Sequence, residues 1–223
     1  MKKYLLPIFI LIMSVLYIFF IPEHPMLIKI LFKLIPMWLI ISYAYLHRPS
    51  TSSKTYWTII CGLFFCMLGD GTLHWFIVGL SAFLIGHLFY MGAFFSNWRF
   101  SWLRFVSIIP IVCYSFFMGK ELITAIIQNG NASLVIPVIF YVIVISLMTW
   151  SAIMTGNIWA SIGSILFVIS DSILSWNMFV ANIPYSNVLI MTTYYLAQFL
   201  IAHSARSIVS STLYLDKKIG STI

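Results

Sequence analysis

The chain consists of long apolar runs separated by short polar breaks. Eight runs approach or exceed the roughly 20 residues that an α-helix, rising 1.5 Å per residue, needs to cross a hydrocarbon core. They lie at 4–21, 26–46, 55–73, 75–95, 102–119, 134–155, 158–180 and 186–208. The pattern predicts an all-α integral membrane protein with eight transmembrane helices.

The breaks carry residues that stop helices, such as Pro22, Pro25 and the Asn129-Gly130-Asn131 cluster. The first run begins after two lysines, as a secretory signal does. It ends without a small-x-small cleavage site, so we expect it to remain as a membrane span.

Composition narrows the class of protein further. Apolar residues make up 62% of the 223 residues, charged residues 8%, and the mean hydropathy is +1.04. A water-soluble domain of this length needs more charged surface. Cys61, Cys66 and Cys113 all lie inside apolar runs, which favours neither a disulfide framework nor a zinc site.

The net charge of +7 indicates orientation rather than nucleic-acid binding, because most basic residues lie between apolar runs. With eight spans, both termini share one side of the membrane. That side carries nine of the twelve basic residues: Lys2, Lys3, Arg48, Lys54, Arg99, Arg104, Arg206, Lys217 and Lys218. We therefore expect a multi-pass protein of the cell membrane with both termini in the cytoplasm.

An internal repeat becomes visible when the chain is shifted by 101 residues. The shift aligns Ile35-Pro36 with Ile136-Pro137, Gly62 with Gly163, Asp70 with Asp171 and Leu73 with Leu174. The sequence thus predicts one membrane domain made of two parallel four-helix halves, 1–101 and 102–208, followed by a short cytoplasmic tail, 209–223. Halves with an even number of spans are related by an axis along the membrane normal.

Two carboxylates lie within the predicted spans, Asp70 and Asp171, and the repeat makes them equivalent. An aspartate at the centre of the bilayer costs about 2.5–3.5 kcal/mol on insertion scales, so such residues usually face a cavity or a partner. Counted along their helices, both lie about 20 Å from the cytoplasmic side. We predict that they are a functional pair; the alternative is that each is a structural hydrogen-bonding hub.

Other polar residues lie at a similar predicted depth. The candidates for substrate binding are Lys33, His87, Tyr141, Tyr194, Tyr195 and Gln198. Two of them have plausible structural interpretations. Lys33 is near enough to a helix end to extend to the interface, and His87 lies on an apolar helix face.

The same residues resemble a known family. Lys33 and Pro36, the stretch from Gly69-Asp70 to Tyr90, Ser170-Asp171-Ser172, and Tyr194-Tyr195-Leu196-Ala197-Gln198 are similar to the YhhN-like family, which includes the transmembrane protein 86 lysoplasmalogenases. The resemblance covers about residues 30–205. It implies a hydrolase that cleaves the vinyl ether of lysoplasmalogens to a fatty aldehyde and a glycerophospho-base, with Asp70 and Asp171 as the acidic pair.

The chemistry of two carboxyl groups in one apolar site fits that expectation, because their pKa values are driven apart and supply an acid and a base together. We expect a lysophospholipid substrate, membrane lipid as surroundings, and no nucleic acid, metal or other cofactor. The oligomeric state is left open. The alternative is a proton-coupled transporter or lipid translocator that uses the same acids.

Overall fold

The protein was examined as a computed structural model that describes residues 2–22, 24–49 and 53–220, with side chains described within 5–208 of these ranges. Every regular element in this part of the chain is helical, as predicted. The α-helices are α1 (Lys2–Phe19), α2 (Met26–Leu46), α3 (Lys54–Thr72), α4 (Phe76–Phe95), α5 (Trp102–Val106), α6 (Ile108–Gln128), α7 (Val135–Met154), α8 (Ile158–Phe179) and α9 (Ser186–Gly220). A short 3-10 turn, Ala132–Leu134, precedes α7.

All eight predicted spans coincide with helices, and six stretches are long and apolar enough to cross a membrane. These six are Met26–Leu46, Phe76–Phe95, Trp102–Gln128, Ala132–Met154, Ile158–Phe179 and Ser186–Ile208. Large apolar side chains are exposed around the bundle, for example Leu11 at 65% and Leu103 at 86%. An aqueous surface would not carry so many, so the chain is a multi-pass membrane protein. That α1 and α3 also cross remains a prediction.

The predicted fifth span, 102–119, begins at the right residue but ends too early, and it contains a break: α5 and α6 together form the stretch Trp102–Gln128. The helix is interrupted between α5 and α6 because Pro110 has no N–H to donate to the carbonyl of Val106, four residues earlier. The helix then continues past Lys120 and Glu121, and ends where Gly130 adopts a φ of 75°. Glu121 is therefore a third carboxylate within a helical span, and its side chain is exposed.

Helix α9 continues through Gly220 and so includes most of the predicted tail, 209–223. Residues 221–223 lie outside the described residues, as do the side chains of Lys2, Lys3, Lys217 and Lys218, which contributed to the predicted orientation.

The most extensive helix contacts are α3 with α4 and α8 with α9. Glycines permit both approaches. A Cβ atom on Gly62 of α3 would lie 3.1 Å from the Gly86 carbonyl oxygen of α4, and one on Gly163 of α8 would lie 3.0 Å from the Ala197 carbonyl oxygen of α9. Close backbone contact through small residues is how membrane helices associate without a hydrophobic driving force. The two packed pairs surround the polar centre of the bundle, with α2 and α7 completing its walls.

Candidate active site

A cavity of about 350 Å³ opens at the end of the bundle where α2 and α9 begin and α3 ends. Both intramembrane aspartates line it, together with Lys33 and Tyr194. Exposed residues at its mouth include Met26, His74 and Asn187. The fold thus brings together four of the eight residues that the sequence predicted for the site.

Asp70 lies deep in the bundle, with 5% of its surface exposed. The Lys33 ammonium of α2 lies 3.1 Å from Oδ1, and the Tyr194 hydroxyl of α9 donates a hydrogen bond of 2.6 Å to Oδ2. Lys33 therefore faces inward, and its side chain is 14% exposed. Both carboxylate oxygens of Asp70 therefore have a donor.

Asp171 has different neighbours. The Tyr141 hydroxyl of α7 donates to Oδ2 in a very short hydrogen bond. His87 Nε2 of α4 lies 2.9 Å from the same hydroxyl and 3.8 Å from Asp171 Oδ2. No lysine or arginine within the described part of the chain forms an ion pair with Asp171, whose side chain is 16% exposed.

The hydrogen bonds of the Tyr141 hydroxyl indicate which ring nitrogen of His87 is a donor. The Tyr141 hydroxyl has one proton and gives it to Asp171, so the hydrogen bond between Tyr141 and His87 requires Nε2 to be the donor. The other ring nitrogen, Nδ1, is buried without a hydrogen-bond partner among the described residues. His87 Nε2 thus orients the Tyr141 hydroxyl toward Asp171.

The remaining predicted residues do not line the cavity but hold residues of the site in place. The Tyr195 hydroxyl donates to the Lys33 backbone carbonyl at 2.8 Å and so fixes the turn of α2 that carries the lysine. Gln198 is fully buried, and its Oε1 accepts a 2.7 Å hydrogen bond from the Tyr90 hydroxyl. Together with His87 and Tyr141, these residues position the groups that line the cavity.

Sequence reasoning missed five polar residues that line the cavity. Tyr17 and Ser170 lie on α1 and α8, and the other three are Lys29, His74 and Asn187. All three lie near helix ends, where polar side chains are ordinary and signal nothing. The only available indication was the spacing of Lys29 and Lys33, which places both on one face of a helix.

The chain was compared with known proteins. A sequence model of the YhhN family matches residues 28–205. The chain is 30% identical to lysoplasmalogenase TMEM86B of Mus musculus over 209 residues, which cover 92% of this chain and 87% of that protein. It is 31% identical to lysoplasmalogenase TMEM86B of Homo sapiens over 211 residues, which cover 92% of this chain and 88% of that protein.

A further relative is lysoplasmalogenase TMEM86A of Bos taurus, which is 32% identical over 165 residues, covering 66% of this chain and 64% of that protein. No solved structure matches the chain.

Proposed function

The chain belongs to the YhhN family, and we propose that it is a lysoplasmalogenase that hydrolyses the vinyl ether bond of lysoplasmalogens, releasing a fatty aldehyde and a glycerophospho-base. The observation that carries this proposal is the placement of Asp70 and Asp171 in one cavity with different partners. The names of the similar proteins agree with it.

Vinyl ether hydrolysis places specific demands on a site. A proton must be delivered to the carbon atom of the double bond that is remote from the oxygen, which leaves an oxocarbenium ion. Water must then attack the carbon attached to oxygen, and the resulting hemiacetal separates into aldehyde and alcohol. The site needs a protonated acid, a negative charge near the cation, and a route for water.

We assign Asp171 as the acid. Its Oδ2 accepts a hydrogen bond from the Tyr141 hydroxyl, and no lysine or arginine among the described residues forms an ion pair with it. Asp70 is the acid with the cationic partner, so we assign proton donation to Asp171. The proton on Oδ1 is the one available to the substrate.

We assign Asp70 the role of the fixed negative charge. It lies in a buried position beside the Lys33 ammonium. When the substrate becomes an oxocarbenium ion, this fixed negative charge stabilises it without reorganisation. The Asp171 carboxylate left by proton transfer then takes a proton from the attacking water, which restores the acid for the next turnover.

The head group is expected at the mouth of the cavity. Lys29 lies one helical turn before Lys33, toward the opening, and both lysines line the cavity. We therefore place the substrate phosphate at this end of the cavity, near the lysines that line it. The glycerol backbone then lies between the mouth and the two acids.

The direct test is to incubate the purified protein with a lysoplasmalogen in detergent micelles and to measure aldehyde release. The matched control is the same lipid with a saturated ether, which cannot be protonated at carbon and should yield no aldehyde. If the vinyl ether lipid also yields no aldehyde, the proposal is wrong. Proton flux in liposomes that depends on Asp70 would then favour the transporter.

A further inference from the structure

A second, apolar cleft adjoins the cavity that contains the acids. It is narrow, about 80 Å³, and lies between α4, α6, α7 and α8. Along α8 its lining runs from Val168 to Phe179, a rise of about 16 Å at 1.5 Å per residue. A lining of this length suits an extended hydrocarbon chain.

Several hydroxyl groups line the cleft, but they are paired with one another or with backbone. The Tyr114 hydroxyl donates to Ser172 Oγ at 2.7 Å, and the Ser115 and Ser146 hydroxyls lie 2.7 Å apart. Ser175 donates to the Asp171 backbone carbonyl. With these groups satisfied, the surface that remains for a ligand is apolar.

Asp171 lies on the boundary between the two spaces. It lines both the cleft and the cavity, as do Phe83 and Leu174. Asp70, Lys29 and Lys33 line the cavity but are not among the residues of the cleft. The acid thus separates a polar compartment from an apolar one.

The cleft borders α6, a helix with few buried residues. The buried residues of α6 are Leu122 and Ile126, both near its end, and its outer side chains such as Phe116 are 67% exposed. A second apolar groove lies between α6 and α7 and shares Val142 with the cleft. A hydrocarbon chain in the cleft is therefore close to the surrounding lipid.

We propose that this cleft binds the alkenyl chain of the lipid substrate and thereby places the scissile bond against Asp171. The inference rests on the proposed function. In a lysoplasmalogen the vinyl ether joins the polar glycerol to the apolar chain, so the reacting carbon must lie where a polar compartment meets an apolar one. The carbon that receives the proton belongs to the chain side, where Asp171 is the only carboxylate among the described lining residues.

The first experiment measures chain-length selectivity, since chain carbons beyond the reacting bond contact nothing but the cleft. Val142→Phe and Met118→Trp fill the cleft, whereas Ile136→Phe adds the same ring to a side chain on α7 that is 68% exposed. For the filled variants we expect the ratio of kcat/KM between long and short alkenyl chains to fall at least about ten-fold. Ile136→Phe should leave the ratio unchanged.

Met118→Ala keeps the test valid if the filled variants do not fold, because widening the cleft should shift the preference toward longer chains. If the ratio stays at the parental value in Val142→Phe, Met118→Trp and Met118→Ala, the chain lies elsewhere and the inference is wrong. The proposed hydrolase would survive that result.

A second experiment does not depend on catalysis. A saturated-ether lysophospholipid with a photoreactive diazirine at the end of its chain is bound to the parent protein. The complex is illuminated, and the labelled peptides are identified by mass spectrometry. Labelling of 114–122, 138–146 or 168–179, removed by excess unlabelled lipid, is expected. Labelling confined to loops or outer faces overturns the inference. Labelled cleft peptides in a protein that releases no aldehyde would sustain chain binding and reject the hydrolase.

Discussion

Asp70 and Asp171 are the same side chain on two helices, but their neighbours give them different chemistry. An ammonium and a hydroxyl hold Asp70, whereas a tyrosine that is hydrogen-bonded to a histidine contacts Asp171. Identical acids in identical surroundings would share one proton without a fixed donor. The different partners are what allow one acid to be assigned as the donor.

Replacing either acid by asparagine removes its role while preserving its size. We expect Asp70→Asn and Asp171→Asn each to lower turnover at least about 100-fold, the lower end of what a general acid or base contributes. Single-turnover aldehyde release from matched preparations measures this. Glu121→Gln is the control, because that carboxylate is exposed on α6. Near-parental turnover in either aspartate variant would remove that residue from the mechanism.

The ion pair between Lys33 and Asp70 makes a prediction about stability. Lys33→Met leaves a buried carboxylate without its cation, which typically costs about 3–5 kcal/mol of unfolding free energy. Adding Asp70→Asn removes the uncompensated charge, so the double variant should recover most of the loss. Thermal unfolding in one detergent compares them, with Lys120→Met at an exposed position as control. A double variant as unstable as Lys33→Met alone would show that the charge is not the cause.

The acids and Lys33 could be predicted from the sequence because a charge within an apolar run is costly and must be explained by a cavity or partner. The hydrogen-bond partners of the acids could not be predicted from the sequence. Tyr194 lies 124 residues from Asp70, and only the packing of α9 against α3 brings them together. The apolar cleft could not be predicted from the sequence either. Val142 and Met118 cannot be distinguished by residue type from core side chains.

Among the elements, helix existence followed from hydropathy but helix length did not. The polar pair Lys120 and Glu121 ends the apolar run, yet α6 continues to Gln128, because a helix requires backbone hydrogen bonds and not apolar side chains. The end comes at Gly130, whose left-handed conformation satisfies the last carbonyls: its N–H donates to Ile127, and that of Asn131 to Ile126.

The close contacts of α3 with α4 and of α8 with α9 predict that alanine substitutions at different glycines differ in their effect on stability. A Cβ on Gly62 would lie 2.4 Å from Tyr90 Cε1, and one on Gly163 would lie 2.9 Å from Ile201 Cγ1, whereas one on Gly92 meets nothing within 4 Å. We expect Gly62→Ala and Gly163→Ala each to lower stability by about 1–3 kcal/mol through overpacking. Gly92→Ala should unfold at the parental temperature. Equal unfolding temperatures for all three would mean that these helices are not in close contact.

For the whole molecule, the predicted duplication gains support from the way the two acids are held. Asp70 on α3 is contacted from α2 and α9, and Asp171 on α8 from α7 and α4. If α2–α4 corresponds to α7–α9, each acid is contacted by the second predicted span of its own half, which is α2 or α7. Each is also contacted by the last span of the other half, which is α9 or α4. That reciprocal exchange is expected of a two-fold relation. The duplication itself remains a prediction, and superposing residues 26–95 on residues 134–208 tests it.

The side of the membrane on which the cavity opens follows from combining two observations. Nine of the twelve basic residues lie on the predicted cytoplasmic side, and the cavity mouth, with Asn187, is at the opposite end of the bundle from the loop that carries Phe100. If the basic residues are cytoplasmic, the mouth faces outward, and a substrate with its head group in the outer leaflet reaches Lys29 without crossing the bilayer.

Cysteine labelling in intact cells tests this arrangement. A membrane-impermeant thiol reagent should label Asn187→Cys from outside and Phe100→Cys only after the membrane is permeabilised, because both side chains are exposed but at opposite ends. The parent, whose Cys61, Cys66 and Cys113 lie within helices, gives the background. If Phe100→Cys is labelled first, the orientation is inverted: the mouth then faces the cytoplasm, and the enzyme would draw its substrate from the inner leaflet.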